Sequence, residues 1–220
     1  MTGRVGLILA NGPWCEPATI RELQNQVDFT LACDGALNRC VELGIHVDAV
    51  VGDLDSVEPE ILATFARGGG EVVEVRDPNT NDLSKALKLA KARGASKGVL
   101  VGVHDGDPQH AWANMLVCAE QEMDLQSLTS THVFRFFRPG EAYSIEMEPQ
   151  QTFSLFAVPF ANNITLTGCA YPMDKTALET GSHGLHNRSL GSRVEVEFSE
   201  GRLLMVHPRS SAMTEGRSEA

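Results

Sequence analysis

Along the first half of the chain, short runs of β-branched and other apolar residues alternate with stretches whose apolar residues recur every three or four positions. The runs at 5–10, 29–33, 49–52, 71–75 and 98–103 predict strands. The stretches at 20–26, 36–43, 59–66 and 82–92 predict helices, and Gly44 and Gly94 stand where two of them would stop. Repeated strand–helix units imply a mostly parallel sheet flanked by helices. Such sheets bind ligands beyond the carboxyl ends of their strands, so the residues just past each apolar run are where chemistry is expected.

From about Leu125 the rhythm changes. Short strands are predicted at 132–137, 143–146, 152–158, 163–167, 193–198 and 203–206, punctuated by Pro139-Gly140, Asn162-Asn163 and Glu200-Gly201. That pattern suggests a smaller antiparallel sandwich or barrel. The expected fold class is therefore α/β: an N-terminal mostly parallel sheet flanked by helices, plus a C-terminal antiparallel β-sandwich. The expected domains are 1–127 and 128–208, followed by a polar tail at 209–220.

Composition narrows the function classes. With 42% hydrophobic residues, the chain can build ordinary cores. A net charge of −11 argues against nucleic-acid binding, which needs a basic face. It does not argue against a nucleotide enzyme, because a divalent metal can supply positive charge to phosphates. The longest apolar runs are strand-sized, which predicts no membrane span. The opening MTGRVGLILANG has too brief an apolar stretch for a signal peptide and reads as a strand end. Cys15, Cys33, Cys40, Cys118 and Cys169 are scattered, without paired spacing. They are expected to be reduced thiols of a cytoplasmic protein.

Acids follow several predicted strands in succession. The second ends in Cys33-Asp34-Gly35, and the third in Gly52-Asp53-Leu54-Asp55-Ser56. The fourth runs into Arg76-Asp77-Pro78-Asn79-Thr80-Asn81-Asp82, where Asp82 opens a helix. In a parallel sheet these carboxylates converge on one edge, where they need a counter-charge. Mg²⁺ provides one, taking oxygen ligands while bridging to substrate phosphates. Asp53 and Asp55, two apart in a loop, can turn toward the same metal, and Gly52 permits close backbone approach. The plain alternatives are a polar loop in which Asp53 caps the next helix, and Asp82 as the N-cap of its own helix. Lys85 is expected to be solvated, with phosphate steering as the alternative. Asn11-Gly12, after the first strand, either forms a simple turn or brings N–H groups to a phosphate or base.

Taken in order, Asn11-Gly12, Cys33-Asp34-Gly35-Ala36, Gly52-Asp53-Leu54-Asp55-Ser56 and Asn81-Asp82-Leu83-Ser84-Lys85-Ala86-Leu87 resemble the thiamine pyrophosphokinases. The C-terminal Gly168-Cys169-Ala170-Tyr171-Pro172-Met173, Gly181-Ser182-His183-Gly184-Leu185-His186-Asn187 and Gly201-Arg202-Leu203-Leu204 are similar as well, so the resemblance spans about 5–206. It implies transfer of diphosphate from ATP to thiamine, with Mg²⁺ as cofactor, giving thiamine diphosphate and AMP. It implies a homodimer whose sites lie between the N-terminal domain of one subunit and the C-terminal domain of the other. By resemblance, Asp53, Asp55 and Asp82 would be catalytic and hold the metal. Asn11, Asp34, Gly52, Ser56, Asn79, Asn81, Lys85 and His110 would serve ATP and its phosphates. Tyr171, Ser182 and Asn187 would lie at the thiamine pocket. An aromatic face at Tyr171 suits a cationic thiazolium or a flat pyrimidine, whereas its structural alternative is a core residue.

The chain also departs from the family pattern. Where the family has an arginine and an acid after the fifth strand, this chain carries Asp107 and Gln109 within Asp105-Gly106-Asp107-Pro108-Gln109-His110. The family's usual Asp-x-Thr-Asp before the fourth helix appears as Asn79-Thr80-Asn81-Asp82, and His186 stands for the serine that usually precedes the late asparagine. Asp107 either faces solvent or joins the metal site, and Arg76, His104 and His110 are the nearby cations that could serve phosphates instead. His110 has a second reading as a surface residue of a helix start. Two rival functions follow: a pyrophosphokinase for another heterocyclic alcohol such as a hydroxymethylpterin, or a non-catalytic thiamine or nucleotide binder.

Overall fold

A computed structural model describes residues 3–209. These divide between Ser130 and Thr131 into two compact units. No helix among the described residues is long and apolar enough to cross a membrane. The tail expected at 209–220 lies outside the described residues except for Arg209.

The N-terminal unit is built on a parallel sheet. Its strands are β1 (Arg4–Leu9), β2 (Phe29–Cys33), β3 (Ala49–Gly52), β4 (Glu71–Glu74), β5 (Ala95–Val101) and β6 (Asp124–Leu128). Their spatial order is β4-β3-β2-β1-β5-β6, and every pairing is parallel. All residues of β2 and β3 are buried, as continuous apolar runs in a sheet covered on both faces should be. Edge strand β4 instead carries Glu71 and Glu74, charges that discourage edge-to-edge pairing.

Five helices cross between strands: α1 (Pro17–Gln24), α2 (Ala36–Leu43), α3 (Pro59–Arg67), α4 (Asp82–Ala92) and α5 (Pro108–Ala119). Proline opens α1, α3 and α5, where its missing N–H costs no helical hydrogen bond. Pro17 starts α1 three residues earlier than its apolar spacing suggests. Helix α2 ends on Gly44 in the left-handed region at φ 62°, as glycine permits without a Cβ clash. Leu7, Leu9, Ile20, Leu37, Val50 and Val101 lie in one core cluster joining strands β1, β3 and β5 to helices α1 and α2. Each buried aliphatic side chain stabilises the unit by roughly 1.5–3 kcal/mol.

The chain winds outward from β1 through β4, then returns to place β5 on the other side of β1. The crevice at this reversal lies beyond the ends of β1 and β5. There the Gly12 N–H donates to the Gly102 carbonyl at 3.0 Å. A Cβ on Gly12 would lie only 2.5 Å from that carbonyl oxygen, so the contact requires glycine.

The C-terminal unit is antiparallel. It contains β7 (His132–Phe137), β8 (Ala142–Glu146), β9 (Thr152–Thr167), β10 (Met173–Glu179), β11 (Asn187–Arg188), β12 (Arg193–Glu197) and β13 (Glu200–Pro208). Strand β9 pairs with β13, β10, β11 and β12. Leu155, Ile164, Leu166, Val194, Leu203 and Met205 are buried in one cluster. Asn162-Asn163 was expected to separate two strands, yet both lie inside β9. Asn163 takes φ 54° and its side chain donates to Ser199 Oγ at 2.8 Å, so the irregularity is absorbed without ending the strand. Pro139-Gly140 does form the connection from β7 to β8, with Gly140 at φ 86°.

Candidate functional site

Three acids meet at the carboxyl rim of the parallel sheet. Asp34 leaves the wholly buried β2 with φ 42°, turning directly into α2. Gly52 ends β3, and Leu54 at φ 66° reverses the backbone between Asp53 and Asp55. A left-handed leucine costs on the order of 1 kcal/mol, which surrounding contacts must offset. Oxygens of Asp34, Asp53 and Asp55 all lie within 4.8 Å of one another. Asp34 is buried, and the other two are exposed.

Asn38 of α2 holds this loop. Its Nδ2 donates to the Ser56 carbonyl at 3.0 Å, and its Oδ1 accepts from the Glu58 N–H at 3.0 Å. The Ser56 hydroxyl donates to Asp55 Oδ1 at 3.0 Å. A Cβ on Gly52 would lie 2.8 Å from Asp34 Cβ and 3.3 Å from Asp82 Oδ1, so glycine lets the acidic residues close up.

Two like charges about 4 Å apart repel by roughly 4 kcal/mol at an effective dielectric near 20. Part of that repulsion appears in Asp34. Burial raises its carboxyl above the usual range; the Ser56 hydroxyl opposes the rise, and the charges of Asp82, Asp53 and Asp55 add to it. Asp34 Oδ1 is buried and accepts no hydrogen bond. An unsatisfied buried oxygen among hard carboxylate donors fits a divalent cation such as Mg²⁺.

One positive charge is built into the rim. Lys85 Nζ lies 2.8 Å from Asp82 Oδ1 and 3.9 Å from Asp53 Oδ2. The expectation of a solvated Lys85 is thus corrected: its side chain is 4% exposed. Desolvation alone would lower its pKa, but the hydrogen bond and charge of Asp82, with Asp53 and Asp34 behind, raise it. Asp82 does open α4, but the N-cap is Asn81, whose Oδ1 accepts from the Ser84 N–H at 2.9 Å. Asn81 also donates to Asn114 Oδ1 at 2.8 Å, and Asn114 donates to the Val103 carbonyl. Asn81 is therefore engaged in tying α4 to α5. Asn79 is exposed in the preceding turn, where its N–H donates to Asp77 Oδ1 at 3.0 Å.

One departure near the fifth strand has a structural explanation. Asp107 is the N-cap of α5, accepting from the Gln109 and His110 N–H groups at 2.8 and 3.0 Å. The His110 N–H leads the interactions that hold its carboxyl below the usual range. It does not belong to the acidic trio. His110 is exposed on the first turn of α5. Arg76 is exposed and paired with Glu74. His104 is buried, and burial lowers its pKa to about 4, so at neutral pH it brings no charge to phosphates.

Sequence reasoning overlooked Arg39. Its guanidinium stacks 4.9 Å from the centroid of the Trp14 ring and donates to the Gly12 carbonyl at 3.1 Å. Arg39, Asn11, Gly12, Gly35, Asn38 and Ser56 line an open cleft of about 540 Å³. The available signal was position: Arg39 lies in the first turns of the helix that follows Asp34.

In the C-terminal unit, Asn187 is buried and spent on the chain itself. Its Oδ1 accepts from the Tyr171 N–H at 3.1 Å, and its Nδ2 donates to the Tyr171 carbonyl at 2.8 Å. Tyr171 is 70% exposed, which removes its alternative as a core residue. Ser182 is exposed, and its carbonyl accepts from the Leu185 N–H at 3.1 Å. A Cβ on Gly184 would collide with the Leu155 carbonyl, so this loop sits directly on β9.

Residues 20–127 match the family model described as "Thiamin pyrophosphokinase, catalytic domain". A search of curated proteins found no matching sequence. Among solved structures, thiamine pyrophosphokinase from Bacillus subtilis superposes with a TM-score of 0.77 at 20% identity, covering 94% of this chain and 100% of that one. The Geobacillus thermodenitrificans enzyme gives a TM-score of 0.77 at 21% identity, covering 95% and 99%. The Candida albicans enzyme gives 0.77 at 14% identity, covering 94% and 89%. At these identities the structural likeness speaks for the fold.

Proposed function

With its residues 20–127 belonging to the thiamin pyrophosphokinase catalytic-domain family, we propose that this chain transfers diphosphate from ATP to the hydroxyl of thiamine. Two observations on the same residue carry the proposal: Asp34 gathers with Asp53 and Asp55, their oxygens within 4.8 Å of one another, and its buried Oδ1 accepts no hydrogen bond. In this reading Asp53 and Asp55, with Asp34 behind them, hold Mg²⁺, while Asp82 stands beside them on Lys85. When bound, the metal neutralises the polyphosphate and polarises it.

The protein's own part is placement. The thiamine oxygen forms a bond to the β-phosphorus, the bond from that phosphorus to the bridging oxygen breaks, and AMP leaves with the electron pair. The hydroxyl proton passes to a rim carboxylate or to water. Little covalent chemistry is asked of the side chains, so alignment and charge neutralisation supply the acceleration. Asn38 supports that alignment by holding the Asp53–Ser56 loop against α2.

The thiamine side of the proposal rests on the C-terminal unit, which we read as a β-sandwich. Tyr171 offers an exposed ring to a flat or cationic heterocycle. Asn187 fixes the backbone that carries the ring. Ser182 lies on the neighbouring loop. We read the working enzyme as a homodimer in which the C-terminal unit of one subunit completes the site of the other.

The test is AMP release from ATP and Mg²⁺ with thiamine, and then with a hydroxymethylpterin, as acceptor. Thiamine-dependent AMP formation with stoichiometric thiamine diphosphate supports the proposal. Turnover with the pterin alone would reassign the acceptor. Ligand binding without AMP in either case would make the chain a binder.

A further inference from the structure

We propose that the C-terminal unit carries an oxyanion-binding site of its own, built on β7 and β13, in which the guanidinium fork of Arg135 takes a phosphate or carboxylate group. The site does not depend on the reaction proposed above.

Arg135 is a cation placed on an apolar face. On β7, Val133, Arg135 and Phe137 share one side of the strand. Arg135 lies opposite Met205 of β13, which lies opposite Leu155 of β9. Val133, Phe137, Met205 and Leu155 are all buried. The arginine stem therefore runs along core residues, and the side chain is half-buried. Desolvation lowers its pKa, with no acid opposing the shift. No Asp or Glu among the described residues pairs with it. A charge withdrawn from water costs free energy unless it is paired, and arginine cannot shed its proton as a buried lysine can. The missing counter-charge points to an anion from outside the chain.

His207 holds the fork in place. The Pro208 carbonyl only accepts, so His207 Nδ1, 2.8 Å away, carries the ring proton. Nε2 is then the lone-pair nitrogen, and it accepts from Arg135 Nε at 3.3 Å. Gln151 Nε2 donates to the same carbonyl at 2.7 Å and fixes it from the other side. Burial, with the charges of Arg135 and His132, keeps the imidazole pKa below its ordinary value despite the Pro208 carbonyl, so the acceptor persists at neutral pH. One arginine donor is thus used for orientation. The two terminal nitrogens make no hydrogen bond to the described residues. Their parallel N–H groups match two oxygens of a phosphate or carboxylate.

The test is thermal unfolding of the full chain in phosphate, acetate and chloride at one ionic strength, without Mg²⁺ or nucleotide, for wild type, Arg135→Met and Arg135→Lys. Phosphate or acetate should raise the wild-type midpoint saturably, by about 3–5 °C at roughly ten times Kd. Arg135→Met should show no saturable rise, and Arg135→Lys a smaller one, since an ammonium lacks the fork. The more effective anion names the class of ligand. The Arg135 Nε–H resonance, identified by its loss in Arg135→Lys, should move along the same saturation curve, which tests the site even if Arg135→Met does not fold. No saturable rise in wild type, an equal rise in Arg135→Met, or an unmoved Arg135 resonance would each overturn the inference and leave the fork simply hydrated.

Discussion

Lys85 and Asp82 form an ion pair one helical turn apart, 2.8 Å between Nζ and Oδ1, with the lysine buried and the aspartate one-third exposed. The pair places a permanent positive charge inside a rim that otherwise gathers carboxylates. Lys85→Met would leave Asp82 and Asp53 facing each other without it. Removing one partner of a fully buried pair costs about 3–5 kcal/mol. Because both acids are partly exposed, the expected loss is nearer 1–3 kcal/mol in urea unfolding. Adding Asp82→Asn should recover about 1 kcal/mol, and simple additivity in that double-mutant cycle would argue against the coupling.

Asp53→Asn and Asp55→Asn address the proposed metal grip. Each should lower kcat/KM for AMP release at least about 100-fold while leaving thermal unfolding near wild type. Both side chains are exposed at the loop, so their amides have room. Wild-type turnover in both variants would remove the metal assignment.

Asn38 is a supporting residue with a separable signature. Asn38→Leu removes two hydrogen bonds that hold the Ser56–Glu58 segment, at about 1 kcal/mol each. If the clamp aligns Asp53 and Asp55, kcat should fall by about tenfold or more, and more Mg²⁺ should be needed for half-maximal rate. A stability loss with an unchanged Mg²⁺ dependence would make Asn38 a fold residue alone.

The elements that sequence pattern located best are those whose burial is one-sided or complete. Strands β2, β3 and β7 and helices α2 and α4 occupy the spans read from apolar spacing. Strand β6, Asp-Leu-Gln-Ser-Leu, was missed because its polar residues hide a buried alternation. Strand β10 was missed because most of its side chains are not buried, and its ladder to β9 is irregular. The acids of the rim were visible because each follows an apolar run. Arg39 and the burial of Lys85 were not, because these environments come from residues distant in the chain. Lys85 is buried against Asp53 as well as its own helix, and Arg39 is oriented by Trp14 and Gly12. Of the two alternatives for Asp107, solvent or the metal site, the exposed position is the one found, and its role as a helix cap was hidden because it depends on backbone partners.

That cap gives a simple contrast. Asp107→Ala should destabilise the protein by about 0.5–2 kcal/mol through loss of the α5 N-cap. Asp107→Ser, which restores an acceptor, should recover most of it and keep wild-type activity. A large activity loss in Asp107→Ser with normal stability would show that the carboxylate itself serves the reaction.

His104 provides the pH-dependent prediction. Burial lowers its pKa from the ordinary 6.5 to about 4. The unfolded chain therefore takes up a proton at this residue as pH falls through 6.5, while the folded protein resists until about 4. Below 6.5 the unfolded state binds more protons, so the stability from a neutral buried imidazole is complete above 6.5 and declines as pH drops toward 4. The full loss is on the order of 3 kcal/mol. Urea midpoints for wild type and His104→Gln, compared between pH 7 and 4, isolate this contribution from the carboxylates. The variant should start less stable at pH 7, because glutamine fits the site less well, yet lose less across the interval. Parallel curves for the two proteins would mean that His104 titrates alike in the folded and unfolded states.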